Sequence, residues 1–257
     1  MFKAITSSCY HWFMSEQLAP QLAPPARDRI VRAAARLLNE SGRDAVTTRS
    51  VSSAAGVQPP TIYRLFGDMD GLLDAVASYG FASYLRDKVE REHAADAVDD
   101  LREGWDLHTD FGLANPAVYT LIYGDPRPGE QRTAAREAAE ILRGLVHRVA
   151  AEGRLRVTER QAVEMIHNTG RGVTLGLIGT PPSERDRAVS DQVREAILAA
   201  VTTPSAGAGS ATEADPASAA RHAIALNAAL PASGADLTPA EQAMLREWLG
   251  RIATSAH

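Results

Sequence analysis

The segment Thr47–Phe66 constrains the fold of this chain more than any other. Thr47 is a residue type that caps helix starts, and Val51 and Ala55 follow one turn apart, so a short helix through Ala55 is expected. Gly56 then supplies the turn, because glycine enters the left-handed backbone region with little strain. Val57 plugs the angle between two helices, and Pro59 or Pro60 opens the second one, where a missing N–H is no loss. Ile62, Leu65 and Phe66 form its inner side. Two short helices joined in this way make a helix-turn-helix. The pattern leaves Pro60, Thr61, Tyr63 and Arg64 pointing outward from the N-terminal part of the second helix, the part that enters the major groove in this geometry.

Those outward residues have chemistry suited to nucleic acid. Arg64 can donate two hydrogen bonds to a guanine edge, Thr61 can meet a phosphate or a thymine methyl, and Tyr63 can reach a phosphate oxygen. Thr48 and Arg49 open the preceding helix, where backbone amides and a guanidinium form a phosphate clamp. The net charge of −5 opposes DNA binding only until it is divided along the chain. Residues 27–66 hold seven arginines (27, 29, 32, 36, 43, 49 and 64) against Asp28, Glu40 and Asp44, a local charge of +4 beside −9 on the remainder. A basic segment on an acidic body suits a protein that meets phosphate with one face. From charge alone, a solvated surface remains the competing explanation, and a helical hairpin inside another bundle would also accommodate the apolar pattern.

Helical periodicity runs through the rest of the chain, and no alternating apolar and polar run argues for a sheet. The class is all-α. The first helix spans roughly 26–40, with Ile30, Ala34, Leu37 and Leu38 on one stripe and Gly42 as its stop. Further helices are expected near 70–91, 97–114, 117–123, 129–151, 159–178, 184–201, 215–229 and 239–253. Their starts are marked by Asn115-Pro116, by Thr158 with Gln161, by Ser183 ahead of Glu184 and Asp186, and by Thr238 with Glu241. The stretch from Pro204 to Thr212 is low in complexity and reads as a flexible loop, about 203–214. Cys9 is the only cysteine, which excludes an intrachain disulfide and a cysteine-ligated structural zinc. Residues 1–13 lack the features of a secretory leader, and Met14 opens a more ordinary start, so residues 1–25 are expected to be a disordered extension and 1–13 either an over-extended start or a disordered tail. A cytoplasmic setting follows, with no membrane partner, no cofactor and no metal.

Thr47-Thr48-Arg49-Ser50-Val51-Ser52-Ser53-Ala54-Ala55-Gly56-Val57-Gln58-Pro59-Pro60-Thr61-Ile62-Tyr63-Arg64-Leu65-Phe66, followed by Asp70, Leu72 and Leu73, resembles the DNA-binding signature of the TetR family. With the preceding helix the resemblance covers about residues 27–80. It implies a DNA-binding domain over 26–72 whose third helix reads the operator, and a larger regulatory and dimerisation domain over 73–257. By motif position the DNA-binding residues are Thr47, Thr48, Arg49, Gln58, Pro59, Pro60, Thr61, Tyr63 and Arg64. The chain departs from the family's pattern at Ser52 (usually alanine), at Leu65 (frequently polar or aromatic) and at Met69, where a phosphate-binding lysine is usual.

Beyond residue 90 the resemblance is looser, carried by Phe111–Tyr119 and Gly179–Arg185, and it implies a ligand cavity and a dimer surface. Leu101, Trp105, His108 and Gly112 share a helical face, as do Tyr119 and Tyr123. The expected ligand-binding residues are Trp105, His108, Phe111, Tyr119, Met165, His167 and Arg171, set against the plainer reading that these are ordinary core and structural imidazoles. His167 and Arg171 stand four apart, suited to meeting an anionic group together. Gly172, Gly176 and Gly179 recur at helical spacing despite a cost of roughly 1 kcal/mol each relative to alanine, which suggests close approach of a partner helix across a dimer axis, with Val193 and Ile197 completing it. No metalloprotease, Glu-x-x-His or Gly-x-Ser-x-Gly motif is present, so an enzyme is not expected. The expected function is a ligand-responsive repressor, a homodimer on a pseudo-palindromic operator. The alternative is a helical interaction adaptor that has lost DNA binding.

Overall fold

The structure, a computed structural model, describes residues 25–89, 93–125, 129, 131–204 and 216–254. The expectations for 1–24 and for most of the 203–214 loop lie outside the described residues. Among these, eleven α-helices form the fold and no strand is present. They are α1 (Ala26–Ser41), α2 (Thr48–Ala55), α3 (Pro59–Phe66), α4 (Met69–Val89), α5 (Ala97–Ala114), α6 (Pro116–Tyr123), α7 (Thr133–Ala151), α8 (Glu159–Gly179), α9 (Arg187–Val201), α10 (Pro216–Ala229) and α11 (Pro239–Thr254). The expected all-α class and helix order hold. No helix among the described residues is long and apolar enough to cross a membrane.

Local chemistry explains most boundaries. Thr47 caps α2 by accepting from the Ser50 N–H, and Ser50 accepts in return from the Thr47 N–H. Thr158 and Gln161 do the same for α8, and Thr238 exchanges hydrogen bonds with Glu241 at the start of α11. Two expected caps are corrected. Asn115 does not cap α6: its amide donates to the Phe111 carbonyl and closes α5 instead. Ser183 lies in a 3-10 turn, Pro182–Glu184, and it is Asp186 that accepts from the Ala188 N–H to start α9. Pro181 and Pro182 set an extended entry that delays the helix. The start of α7 moves to Thr133 from the expected 129.

Helices α1–α4 close around Ile30, Ala34, Leu38, Val51 and Ile62, and this core runs on without a break into Phe81, Phe111, Tyr119 and Tyr123. A second core joins Leu101 and Trp105 to the end of α7, to α8 and α9, and to the α10–α11 hairpin. Burying each large apolar side chain contributes about 1.5–3 kcal/mol, so the two cores outweigh the ion pairs around them. Arg102 with Glu195, Arg187 with Asp110 and Arg194 with Asp106 tie α5 to α9 on the surface, where such pairs contribute little individually.

Candidate nucleic-acid interface and internal cavity

At the tip of the first core, Gly56 has φ 63° and ψ 43°, in the left-handed region. Its N–H bonds back to α2, and the Val57 N–H reaches the Ser52 carbonyl. This turn orients α3 across α2. Ile62 is fully buried beneath α3, while Gln58, Pro59, Pro60, Tyr63 and Arg64 are exposed and Thr61 is half-buried. Tyr63 projects with 48% exposure, and its hydroxyl lies 3.0 Å from the Thr48 hydroxyl at the first turn of α2. Arg49 is exposed beside it. The structure therefore brings the expected residues of α2 and α3 onto one surface, with Thr48 and Thr61 partly covered.

Two arginines brace this tip. Arg27 packs its guanidinium 4.7 Å above the Phe66 ring and donates to the Leu65 carbonyl, and Arg29 donates to the Ala55 carbonyl at the end of α2. Both belong to the basic segment, and both serve folding through these bonds. Leu65 and Phe66 are half-buried. Met69 packs against the first core. A thioether there offers no charge to a phosphate.

The second region of interest lies between α5, α7 and α8. Leu101, Gly104, Trp105, His108, Ala138, Leu142, Leu145, Ile166, His167 and Gly170 surround a cavity of about 40 Å³. Of the expected ligand residues, Trp105, His108 and His167 line it. Trp105 is held by its Nε1–H, which donates to Ser190 Oγ at 2.9 Å. Tyr119 is fully buried behind His108, its hydroxyl 2.6 Å from His108 Nε2. Phe111 is core, edge-on to Phe81 at 5.4 Å, and Met165 packs into the second core. Neither lines the cavity. Periodicity places both on the correct helices but does not fix which way each faces.

Tyr123 is absent from the expected set, although its one-turn spacing from Tyr119 is visible in the sequence. Its ring packs 4.8 Å from Tyr119 and 5.7 Å from both His108 and His167. Its hydroxyl is buried with no hydrogen-bond partner among the described residues. Burial pushes the phenol pKa well up, opposed by the charge of Arg171. Arg171 itself is half-buried on α8, one turn beyond His167.

Helix α4 ties the two regions together. The Asp74 carboxylate accepts from the Thr133 N–H at 2.9 Å and its hydroxyl at 2.7 Å. Arg132 donates to the Leu121 carbonyl of α6 and to Asp70. The linking helix is thus fastened to the α6–α7 junction, next to the aromatic cluster.

Gly172, Gly176 and Gly179 lie exposed along α8, and a Cβ on any of them would meet nothing within 4 Å. Among the described residues no close approach requires them. Val193 and Ile197 on α9 are half-buried, and Val189 is 49% exposed.

Comparison with known proteins agrees with this geometry. Residues 30–76 match the family profile of bacterial regulatory proteins, tetR family. A stretch of 48 residues is 48% identical to the class A tetracycline repressor from transposon 1721 of Escherichia coli, covering 19% of this chain and 22% of that protein. Another of 51 residues is 41% identical to the class D tetracycline repressor of Escherichia coli, covering 20% and 23%. The matches thus span less than a quarter of these curated relatives' length. Among solved structures, a single-residue variant of TetR from Acinetobacter baumannii in complex with minocycline superposes with TM-score 0.54 at 22% identity, over 70% of this chain and 96% of that one. The fatty acid degradation regulator FadR of Bacillus halodurans gives 0.56 at 18% identity, over 69% and 97%. At these identities the structural likeness establishes the fold, and the match over residues 30–76 establishes that the helix-turn-helix is similar to that of bacterial regulatory proteins of the tetR family.

Proposed function

We propose that the protein is a ligand-responsive transcriptional repressor that binds a pseudo-palindromic operator as a homodimer. The observation that carries this reading is the surface formed by exposed Arg49, Pro59, Pro60, Tyr63 and Arg64 and half-buried Thr48 around a buried Ile62. On it, Arg64 reads base edges, while Tyr63, Thr48 and Arg49 hold phosphates. Two copies would place their α3 helices in successive major grooves about one helical turn apart. The exposed glycine face of α8, with Val193 and Ile197 of α9, would form the dimer contact.

The cavity between α5, α7 and α8 is the sensor site in this reading. At about 40 Å³ it is far smaller than the roughly 300–1,000 Å³ of typical ligand pockets, so it must open to bind. Tyr119 and Tyr123 belong to α6, and the Leu121–Arg132–Asp70 and Thr133–Asp74 bonds carry a shift of α6 to α4. The structural neighbour that holds minocycline supports a ligand-bearing body of this fold.

Selection from a random DNA pool, followed by anisotropy titration, tests the reading. An inverted-repeat site should emerge, with binding weakened by about 1–3 kcal/mol in Arg64→Ala. Failure to enrich any site would favour an adaptor that has lost DNA binding. Light scattering tests the dimer: Gly176→Leu should be monomeric, and a dimeric variant would remove α8 from the interface.

A further inference from the structure

Resting on the sensor reading, we propose that the ligand is a small carboxylic acid, its apolar body lying beside Trp105, Leu101 and Ile166 and its carboxylate held by Tyr123, His167 and Arg171.

Behind the cavity-lining His167, two polar groups that do not themselves line the cavity carry hydrogen-bond donors. The Tyr123 hydroxyl is buried, unpartnered among the described residues, and kept protonated by its surroundings. It therefore offers a proton and needs an oxygen to receive it. Arg171 is half-buried, and among the described residues no carboxylate lies within ion-pair distance of it. Three other half-buried arginines of this body differ: Arg148 holds Asp100, Arg154 holds Asp96, and Arg194 holds Asp106. Arg171 acts instead on the Tyr123 phenol. His167 stands one turn earlier, lining the cavity and packed edge-on against the Tyr123 ring. The two donors thus come from different helices, α6 and α8, with Tyr123 packed against the imidazole that borders the cavity and the charge of Arg171 acting on its phenol. A guanidinium beside a hydroxyl donor matches a carboxylate, which can accept several hydrogen bonds at once.

The lining excludes the alternatives by charge. Among the described residues no aspartate or glutamate borders the cavity, so a cation would enter without a counter-charge. The opposite wall is aliphatic and aromatic, suited to a ring or a short acyl chain. Size follows from which wall can yield. Trp105 is fixed to Ser190, whereas Leu142 and Leu145 of α7 are half-buried. Retreat of these two side chains is the route by which the space would enlarge.

Isothermal titration of the full chain with benzoate, phenylacetate and hexanoate, against benzamide and benzylamine, tests the proposal. The acids should bind, benzamide about tenfold or more weaker, and benzylamine not at all. Tyr123→Phe and Arg171→Met should each weaken benzoate about tenfold or more while the unliganded melting temperature stays near that of the parent. If benzamide or benzylamine binds as well as benzoate and releases operator DNA, the acid class falls and the sensor reading stands. Unchanged benzoate affinity in both variants would place the acid elsewhere and overturn the proposal, as would no binding by any acid. The sensor reading is tested separately by operator release with a broad panel of neutral compounds.

Discussion

Replacing Gly112 by alanine sets two effects of known size against each other at the junction of α5, α6 and α8. Alanine is favoured over glycine inside a helix by about 1 kcal/mol. Against this, a Cβ at Gly112 would stand 2.3 Å from Thr174 Cγ2 and 2.9 Å from Tyr119 Cδ2. Both neighbours are fully buried. Neither is free to turn: Thr174 donates to the Gly170 carbonyl at 2.8 Å, and the Tyr119 hydroxyl is bonded to His108. Overpacking of this kind costs about 1–3 kcal/mol, and two fixed neighbours place it at the upper end. The net is a loss of about 1–2 kcal/mol, hence a fall in melting temperature of about 2–8 °C for a chain of this size. Gly176→Ala on α8 is the control. Its Cβ meets nothing within 4 Å in the chain, so the helix-propensity gain of up to about 1 kcal/mol should appear unopposed, unless a partner helix lies against it. Calorimetric melts of both variants at one fixed protein concentration, with light scattering to report the dimer, give the comparison. If Gly112→Ala melts at or above the parent temperature, the packing argument for this junction is wrong.

Three further outcomes are expected. Met69→Lys should tighten operator binding and steepen its salt dependence by about one phosphate per subunit, measured by filter binding across a salt series; an unchanged slope would mean that position 69 does not reach the backbone. Asp74→Ala should leave operator affinity near the parent value but reduce ligand-induced release, because it removes both bonds from α4 to Thr133; full release in anisotropy titrations would show that the signal travels another way. The Asp96 carboxyl is held below its ordinary 3.8, first by the Val98 N–H and then by Arg154. A lowered acid pKa contributes stability above the ordinary value that is lost as pH falls through the lowered one. Asp96→Asn should therefore lose less stability than the parent in urea melts carried from about pH 5 downward; parallel losses would contradict the assignment.

The DNA-facing half was legible because its information is local. The Thr47 cap, the Gly56 turn and the burial of Val51, Ala55 and Ile62 are set by residues within one or two turns of each other, so spacing alone reveals them. The capping boxes at Thr158 and Thr238 are local for the same reason. Where two candidates competed for one helix start, as with Ser183 and Asp186, the choice depended on how the prolines before them bent the chain.

The carboxy-terminal half yielded its helices to periodicity but not the lining of its cavity. A helical face fixes which residues share a side, while the crossing of neighbouring helices decides whether that side meets core, cavity or solvent. Hence Trp105, His108 and His167 border the cavity, while Phe111 and Met165, equally apolar and equally well placed in sequence, pack into the two cores. Tyr123 gains its meaning only when α6 and α8 converge to bury its hydroxyl near Arg171, more than forty positions away. The chain alone determined an all-helical protein with one reading head at its amino-terminal end, since turn and cap chemistry act over a few bonds. Tertiary structure decided which aromatic residues surround empty space and which polar groups were left without partners, because burial and pairing depend on segments that meet only after folding.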